Sequence, residues 1–282
     1  MKWAVTGARG MLGVDMVDVL RSAGHDVKAL TRADLDVRDI RACRDRLADV
    51  DVVVNCAAWT DVDGAEAHED EAFAVNAVGA ANVARACGEN QAVMVQISTD
   101  YVFSGDASEP YPVHAPLAPI NAYGRTKAAG EWAVQAECRR SYVVRTAWLY
   151  GEHGPSFPAT MLRLAAQKDT VDVVDDQWGQ PTWTRDLAVF LHSLVRSKSQ
   201  YGVYHGTASG ETTWYGFARE IFMVAGLDAE RVKPTTSDRF PRPATRPTYS
   251  VLANAEHLPD WRAALPAAIH AVRGRQSRDL AV

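Results

Sequence analysis

Lys2-Trp3-Ala4-Val5-Thr6-Gly7-Ala8-Arg9-Gly10-Met11-Leu12-Gly13 is the stretch that decides the fold. Its first five residues read as a short buried strand. A G-x-x-G-x-x-G turn follows at once, and Met11 to Ala23 then shows helical spacing of Leu12, Met16, Val19, Leu20 and Ala23. Glycines suit a chain that turns sharply from strand to helix. They also let backbone N–H groups approach a pyrophosphate at the positive end of the helix. A glycine triplet alone is an ordinary turn; between a strand and an amphipathic helix it reads as a dinucleotide-binding turn.

Outward from that turn, the strand Asp26–Leu30 ends near Thr31 and Arg32. In a dinucleotide fold this is where the adenosine ribose is read. Arg32 can pair with a 2′-phosphate, which leans toward NADPH, or be a solvated loop charge. Asp36 is the better candidate for an adenine-edge contact. Further strands are expected at 51–55, 92–98 and 142–146, with helices near 40–47, 71–87 and 123 onward. Such alternation predicts an α/β fold, a doubly wound parallel sheet with ligands bound beyond the C-terminal strand ends. Gly7, Ala57, Thr99 and Trp148 fall at or just after such ends. After residue 150 the pattern becomes irregular, with helices expected near 157–167, 184–197, 213–225 and 259–272. The expected division is a dinucleotide domain over 1–150 with a returning segment near 177–200. A smaller interleaved substrate domain takes 151–176 and 201–272, and 273–282 form a frayed tail.

Tyr123 and Lys127 are four residues apart, so on a helix they share a face. A cation beside a phenol favours the phenolate, making the pair suited to acid–base work on a carbonyl. The spacing alone also occurs by chance on helix surfaces. What strengthens it is the glycine turn and the segment Ile97-Ser98-Thr99-Asp100-Tyr101-Val102-Phe103.

The 282 residues carry a net charge of −5 and 47% hydrophobic side chains. That composition offers no electrostatic footprint for nucleic acid or an anionic membrane. No apolar run approaches membrane-spanning length. Residues 1–6 enter a strand directly, leaving no room for a signal peptide, so the expected location is the cytoplasm. Cys43, Cys56, Cys87 and Cys138 are scattered and read as reduced core thiols. The eight histidines show no metal-ligand spacing, and no metal is expected.

With these motifs in place, the chain resembles the extended short-chain dehydrogenase/reductase superfamily, and within it the dTDP-4-dehydrorhamnose reductase family. The resemblance runs from about residue 1 to 270. It rests on Asn55 to Glu66, Val75-Asn76-Ala77, Ser98 to Phe103, Arg145 to Tyr150, Asp176 to Thr182 and Pro241 to Pro247. It implies a Rossmann-type sheet and NAD(P)H-dependent reduction of the 4-keto group of a dTDP-sugar, with NADPH as cofactor and NADH also accepted. Tyr123 is then the proton donor, Lys127 lowers its pKa and holds the nicotinamide ribose, and Thr99 hydrogen-bonds the carbonyl. Gly7, Gly10, Met11 and Leu12 contact the pyrophosphate. Asp36 and Val37 line the adenine, and Ala57, Ala58 and Thr60 the ribose and nicotinamide path. Asp100 and Trp148 touch the sugar.

In the superfamily's 4,6-dehydratases a glutamate follows the T-D pair; here Tyr101 stands there, so elimination is not expected. Arg242 and Arg246 can clamp a diphosphate bidentately or be surface charges. Trp178 and Trp214 read as packing residues. No acidic cluster supports a metal-bridged dimer, leaving Asp15 and Asp186 as the carboxylates to watch and a monomer or homodimer as the expectation. Two alternatives remain: a 4-ketoreductase for another dTDP-deoxysugar (dihydrostreptose-like or an antibiotic sugar), or a non-catalytic NADP-binding subunit resembling that of methionine adenosyltransferase.

Overall fold

Six strands of the computed structural model, which describes residues 1–253 and 258–279, form one parallel sheet. Five are those anticipated: β1 (Lys2–Thr6), β2 (Asp26–Leu30), β3 (Val52–Asn55), β4 (Val93–Thr99) and β5 (Ser141–Thr146). Alternate residues of one strand serve opposite cores. Trp3, Val5, Val52 and Val54 pack under α1 (Met11–Ser22) on one face, while Ala4 and Val53 face the other. Strands buried on both faces need apolar residues at nearly every position, which is what Val52-Val53-Val54 supplies.

The opposite face is covered by α2 (Ile40–Arg46), α5 (Ala80–Glu89) and α6 (Ala122–Glu137). α3 (Val62–Ala67) and α4 (Glu69–Phe73) precede α5. The single helix expected over 71–87 is broken by a π-helical turn at Ala74–Gly79. That turn aims Asn76 at the chain beyond β3, where its amide accepts from Trp59 N (2.8 Å) and donates to Trp59 O (3.1 Å). Such bulges recur where a helix must present a side chain at a site.

Beyond β5 come α7 (Phe157–Gln167), β6 (Val171–Val174), α8 (Thr184–Arg196) and β7 (Gly202–His205). α8 packs on α1. β7 pairs with β5, giving the order β7-β5-β4-β3-β1-β2. The segment that returns to the main sheet thus runs through α8 to residue 205, past the expected boundary at 200. Four residues bracketed by Tyr201 and Gly206 have too little pattern to announce a strand whose pairing is wholly non-local.

The rest builds a second core from α7, α9 (Trp214–Val224) and α10 (Trp261–Asp279). Phe217, Ile221, Phe222, Trp261, Leu265 and Ile269 are at its centre. β6 and β8 (Val232–Thr235) form a parallel pair beside it. The expectation of fraying from residue 273 is corrected over 273–279: α10 continues to Asp279. Arg273 donates to Ala225 O (2.7 Å) and Arg275 to Glu152 O (3.2 Å), so backbone carbonyls elsewhere hold these turns. Residues 280–282 lie outside the described residues.

Candidate active site

A cleft of about 1260 Å³ opens beyond the C-terminal ends of β1 to β5. At the end of β1, Gly7 has φ +62°, and a Cβ there would lie 2.8 Å from Ala57 N and Cys56 C. A Cβ on Gly13 would come within 2.3 Å of Gly7 O. The turn can therefore be built only without side chains. The first turn of α1 carries no acidic residue, so its free N–H groups face the cleft with no competing carboxylate.

Toward β2, Arg9, Arg32, Asp36 and Arg38 line the cleft. Arg38 grips the Asp36 carboxylate through Nε (2.9 Å) and Nη2 (2.6 Å). That hydrogen bonding pulls the Asp36 carboxyl down to about 2. The sequence reading named Arg32 and Asp36 but passed over Arg9, inside the glycine turn, and Arg38, two residues past Asp36. Their positions in the motifs were the available signal.

Under the middle of the cleft runs a buried polar ladder. Thr6 donates to Asn55 Oδ1 (2.5 Å), Asn55 to Gln96 Oε1 (2.8 Å), and Gln96 to Ile97 O (2.9 Å). It ties the ends of β1, β3 and β4 together beneath Ala57, Ala58 and Thr60, which line the wall above.

Thr99, the last residue of β4, donates to Asp100 Oδ1 (2.9 Å) and accepts from Tyr101 N (3.2 Å). Asp100 also takes the Ser250 hydroxyl (2.6 Å), and burial pushes its carboxyl up to about 6 against those two hydrogen bonds. Tyr123 enters from the first turn of α6, which Asn121 caps through Gly124 N (2.7 Å). A Cβ on Gly124 would lie 2.2 Å from Tyr101 O, so the glycine after Tyr123 lets α6 close on the Thr99 segment.

The expected lowering of the Tyr123 pKa by Lys127 is not what the structure gives. Burial and then the nearby Asp100 charge push the phenol up, opposed by hydrogen bonding with Thr99. Burial also takes Lys127 down to about 8, although the Glu131 charge works the other way. The Lys127 ammonium donates to Ile97 O (2.6 Å). Burial dominates both groups because α6 seats them against β4 and β5, inside the sheet.

Glu131 was missed, although it repeats the four-residue step from Tyr123 to Lys127. It accepts from Ser98 (2.6 Å) and from Arg145 at Nε (2.9 Å) and Nη2 (2.7 Å). Both partners of this ion pair are almost wholly buried. Arg145 also donates to Val113 O (2.8 Å) and lies over the Phe103 ring. α6, β4 and β5 are thereby pinned to one another directly behind Lys127.

Past β5, Trp148 lines the cleft with φ +45°. Its ring stacks on Trp214 (centroids 3.6 Å apart, planes 7° apart), and a Cβ on Gly179 would lie 2.4 Å from it. Trp214, read as a packing residue, is thus the backing of a cleft residue. His153 at the cleft lip was not anticipated; it faces Asp15, which accepts the Thr184 hydroxyl.

All the candidates read from sequence line this cleft except Arg242 and Arg246. Arg246 instead grips Asp63 at 2.8 and 2.9 Å, with Arg242 3.6 Å from the same carboxylate. In the acidic run from Asp61, Asp63 holds the 242–246 loop and Glu66 accepts from Ala122 N (2.7 Å). Among the described residues, no three His, Cys, Asp or Glu side chains converge as metal ligands, and no helix is long and apolar enough to cross a membrane.

Residues 1–273 match the family model described as the RmlD substrate binding domain. The chain is 48% identical to a dTDP-4-dehydrorhamnose reductase of Streptomyces griseus, over 98% of this chain and 96% of the relative. It is 50% identical to a dTDP-4-keto-6-deoxy-D-glucose reductase of Streptomyces niveus, over 90% and 88%. A crystal structure of dTDP-4-dehydrorhamnose reductase from Bacillus anthracis in complex with NADP superposes with a TM-score of 0.92 at 36% identity, covering 95% of this chain and 98% of that one. The fold, the cleft and these likenesses agree, and the chain belongs to the RmlD substrate-binding-domain family.

Proposed function

We propose that this protein reduces the 4-keto group of dTDP-4-dehydro-L-rhamnose to give dTDP-L-rhamnose, with NADPH as reductant. The observation that carries the reading is the convergence of Thr99, Tyr123 and Lys127 beside the glycine turn, in one cleft at the strand ends. The residues fit a dinucleotide. Side chains at Gly7 and Gly13 would collide with the backbone that shapes the turn, and Arg9 and Arg32 offer charge for a 2′-phosphate.

When bound, NADPH supplies hydride to the carbonyl carbon. The chain's own residues manage the oxygen. Negative charge growing there is met by the Thr99 hydroxyl, whose proton turns from Asp100 to the substrate oxygen, and by the Tyr123 phenol, which donates the proton that completes the alcohol. The raised pKa of Tyr123 keeps that proton in place at neutral pH. Lys127, protonated below about 8, holds the ribose and its charge favours the phenolate left behind. Tyr101, half-buried and edge-on to Tyr123 (centroids 6.1 Å apart), offers no carboxylate for elimination. We place the activity in the cytoplasm, in a monomer or homodimer.

The Streptomyces niveus relative supports a second reading, reduction of a different dTDP-4-ketosugar. Offering dTDP-4-dehydro-L-rhamnose and dTDP-4-dehydro-6-deoxy-D-glucose separately, and identifying each product by NMR, distinguishes them. Faster conversion of the first to dTDP-L-rhamnose is expected; preference for the second moves the assignment to that sugar. NADPH binding without turnover of either would leave a non-catalytic nucleotide-binding protein.

A further inference from the structure

Among the described residues, five buried side-chain polar atoms meet no hydrogen-bonding partner: Trp3 Nε1, Thr146 Oγ1, Tyr150 Oη, His205 Nε2 and Trp261 Nε1. Of these five residues only Thr146 lines the cleft. It is 4% exposed, so water does little for its hydroxyl, and a buried unpaired hydroxyl is destabilising unless something else pairs it.

Its position says what that is. Thr146 is the register partner of Thr99 on the neighbouring parallel strand, which puts both side chains on the same face of the sheet. The Thr99 hydroxyl is already engaged with Asp100 and Tyr101. The glycine turn at the end of β1 sets the place of a pyrophosphate, and Arg9, Arg32 and Asp36 take the adenosine side toward β2. The other half of a dinucleotide then runs over β3, β4 and β5, reaching Thr146 about three strand spacings, or ~14 Å, away. Trp148 is the more exposed of the two cleft residues, whereas Thr146 is buried at the strand end. A primary carboxamide carries both a donor and an acceptor, as does a hydroxyl.

We propose that Thr146 hydrogen-bonds the carboxamide of the bound nicotinamide and so sets which face of the ring meets the carbonyl at Thr99 and Tyr123. The inference rests on the dinucleotide reading above, and its test separates the two. Wild type, Thr146→Val and Thr146→Ser are titrated calorimetrically with NADPH and with 2′-phospho-ADP-ribose, which lacks nicotinamide. The melting temperature of each ligand-free protein is measured alongside. Thr146→Val is expected to weaken NADPH binding about tenfold. It should leave 2′-phospho-ADP-ribose binding unchanged and the ligand-free melting temperature equal or higher. Thr146→Ser should restore NADPH affinity. Undiminished NADPH binding by Thr146→Val, equal loss for both ligands, or a lowered melting temperature would each overturn the role. A wild type that binds neither ligand would instead remove the dinucleotide reading itself.

Discussion

Tyr123 and Lys127 are both shifted away from their charged forms, and by the same cause. Burial raises the phenol and lowers the ammonium to about 8. A reductase needs the phenol protonated and the lysine charged, so only the lysine limits the alkaline side. The value of kcat/KM is therefore expected to fall above pH ~8, with the limb absent from the residual activity of Lys127→Arg. A wild-type profile flat to pH ~10 would contradict this assignment. Asp100 shows the opposite linkage. Its folded-state pKa of about 6 exceeds the ordinary aspartate value of 3.8, so the folded form binds a proton more readily. That stabilisation is complete below the unfolded pKa and is lost as pH rises through about 6. Asp100→Asn should then melt higher than wild type near pH ~8, with the gain shrinking near pH ~5. A gain independent of pH would show that the burial of charge is not its source.

At the scale of elements, the glycine turn was the most legible part of the chain because its chemistry is local. Strand, three glycines and amphipathic helix are contiguous in sequence; Gly7 takes a positive φ, and side chains at Gly10 and Gly13 would crowd the Gly7 carbonyl. Gly13→Ala should lose NADPH binding and cost about 1–3 kcal/mol, since its Cβ meets the Gly7 carbonyl. Gly24→Ala is the comparison. It also carries strain, with φ +78°, but has open space around it and no place in the cleft, so it should retain cofactor affinity. The Glu131–Arg145 pair was not legible in the same way. Glu131 declares its helix face, but the strand residue opposite it depends on how α6 lies across β4 and β5. Glu131→Gln leaves Arg145 buried without its counter-charge and should cost about 3–5 kcal/mol in urea denaturation. The π-helical turn was missed for a related reason. Residues 69–89 have ordinary helical composition, and the bulge exists to bring Asn76 to the Trp59 backbone.

Across the whole molecule, the first 150 residues could be read because each strand is paired with a helix beside it in sequence. The remainder resists such reading. α8 and β7 join the main sheet from between two segments committed to the second core, and Arg242 and Arg246 turn to Asp63 across a separation of about 180 residues. α10 shows how the second core reaches the site: Arg275 donates to Glu152 O, next to His153 at the cleft lip. Deleting residues 273–282 is therefore expected to lower the melting temperature and to weaken NADPH binding as well, both read in one thermal-shift titration. Unchanged affinity with a lowered melting temperature would confine α10 to a structural part.

Ketone reduction in this cleft depends most directly on Tyr123 as the proton donor. Wild type and Tyr123→Phe, each saturated with NADPH, are mixed with dTDP-4-dehydro-L-rhamnose, and the loss of reduced-nicotinamide absorbance is followed. Wild type should consume one NADPH for each sugar reduced, and Tyr123→Phe should react about 10²–10⁴-fold more slowly while binding NADPH as tightly. Equal rates for the two proteins, or no consumption by wild type, would contradict it.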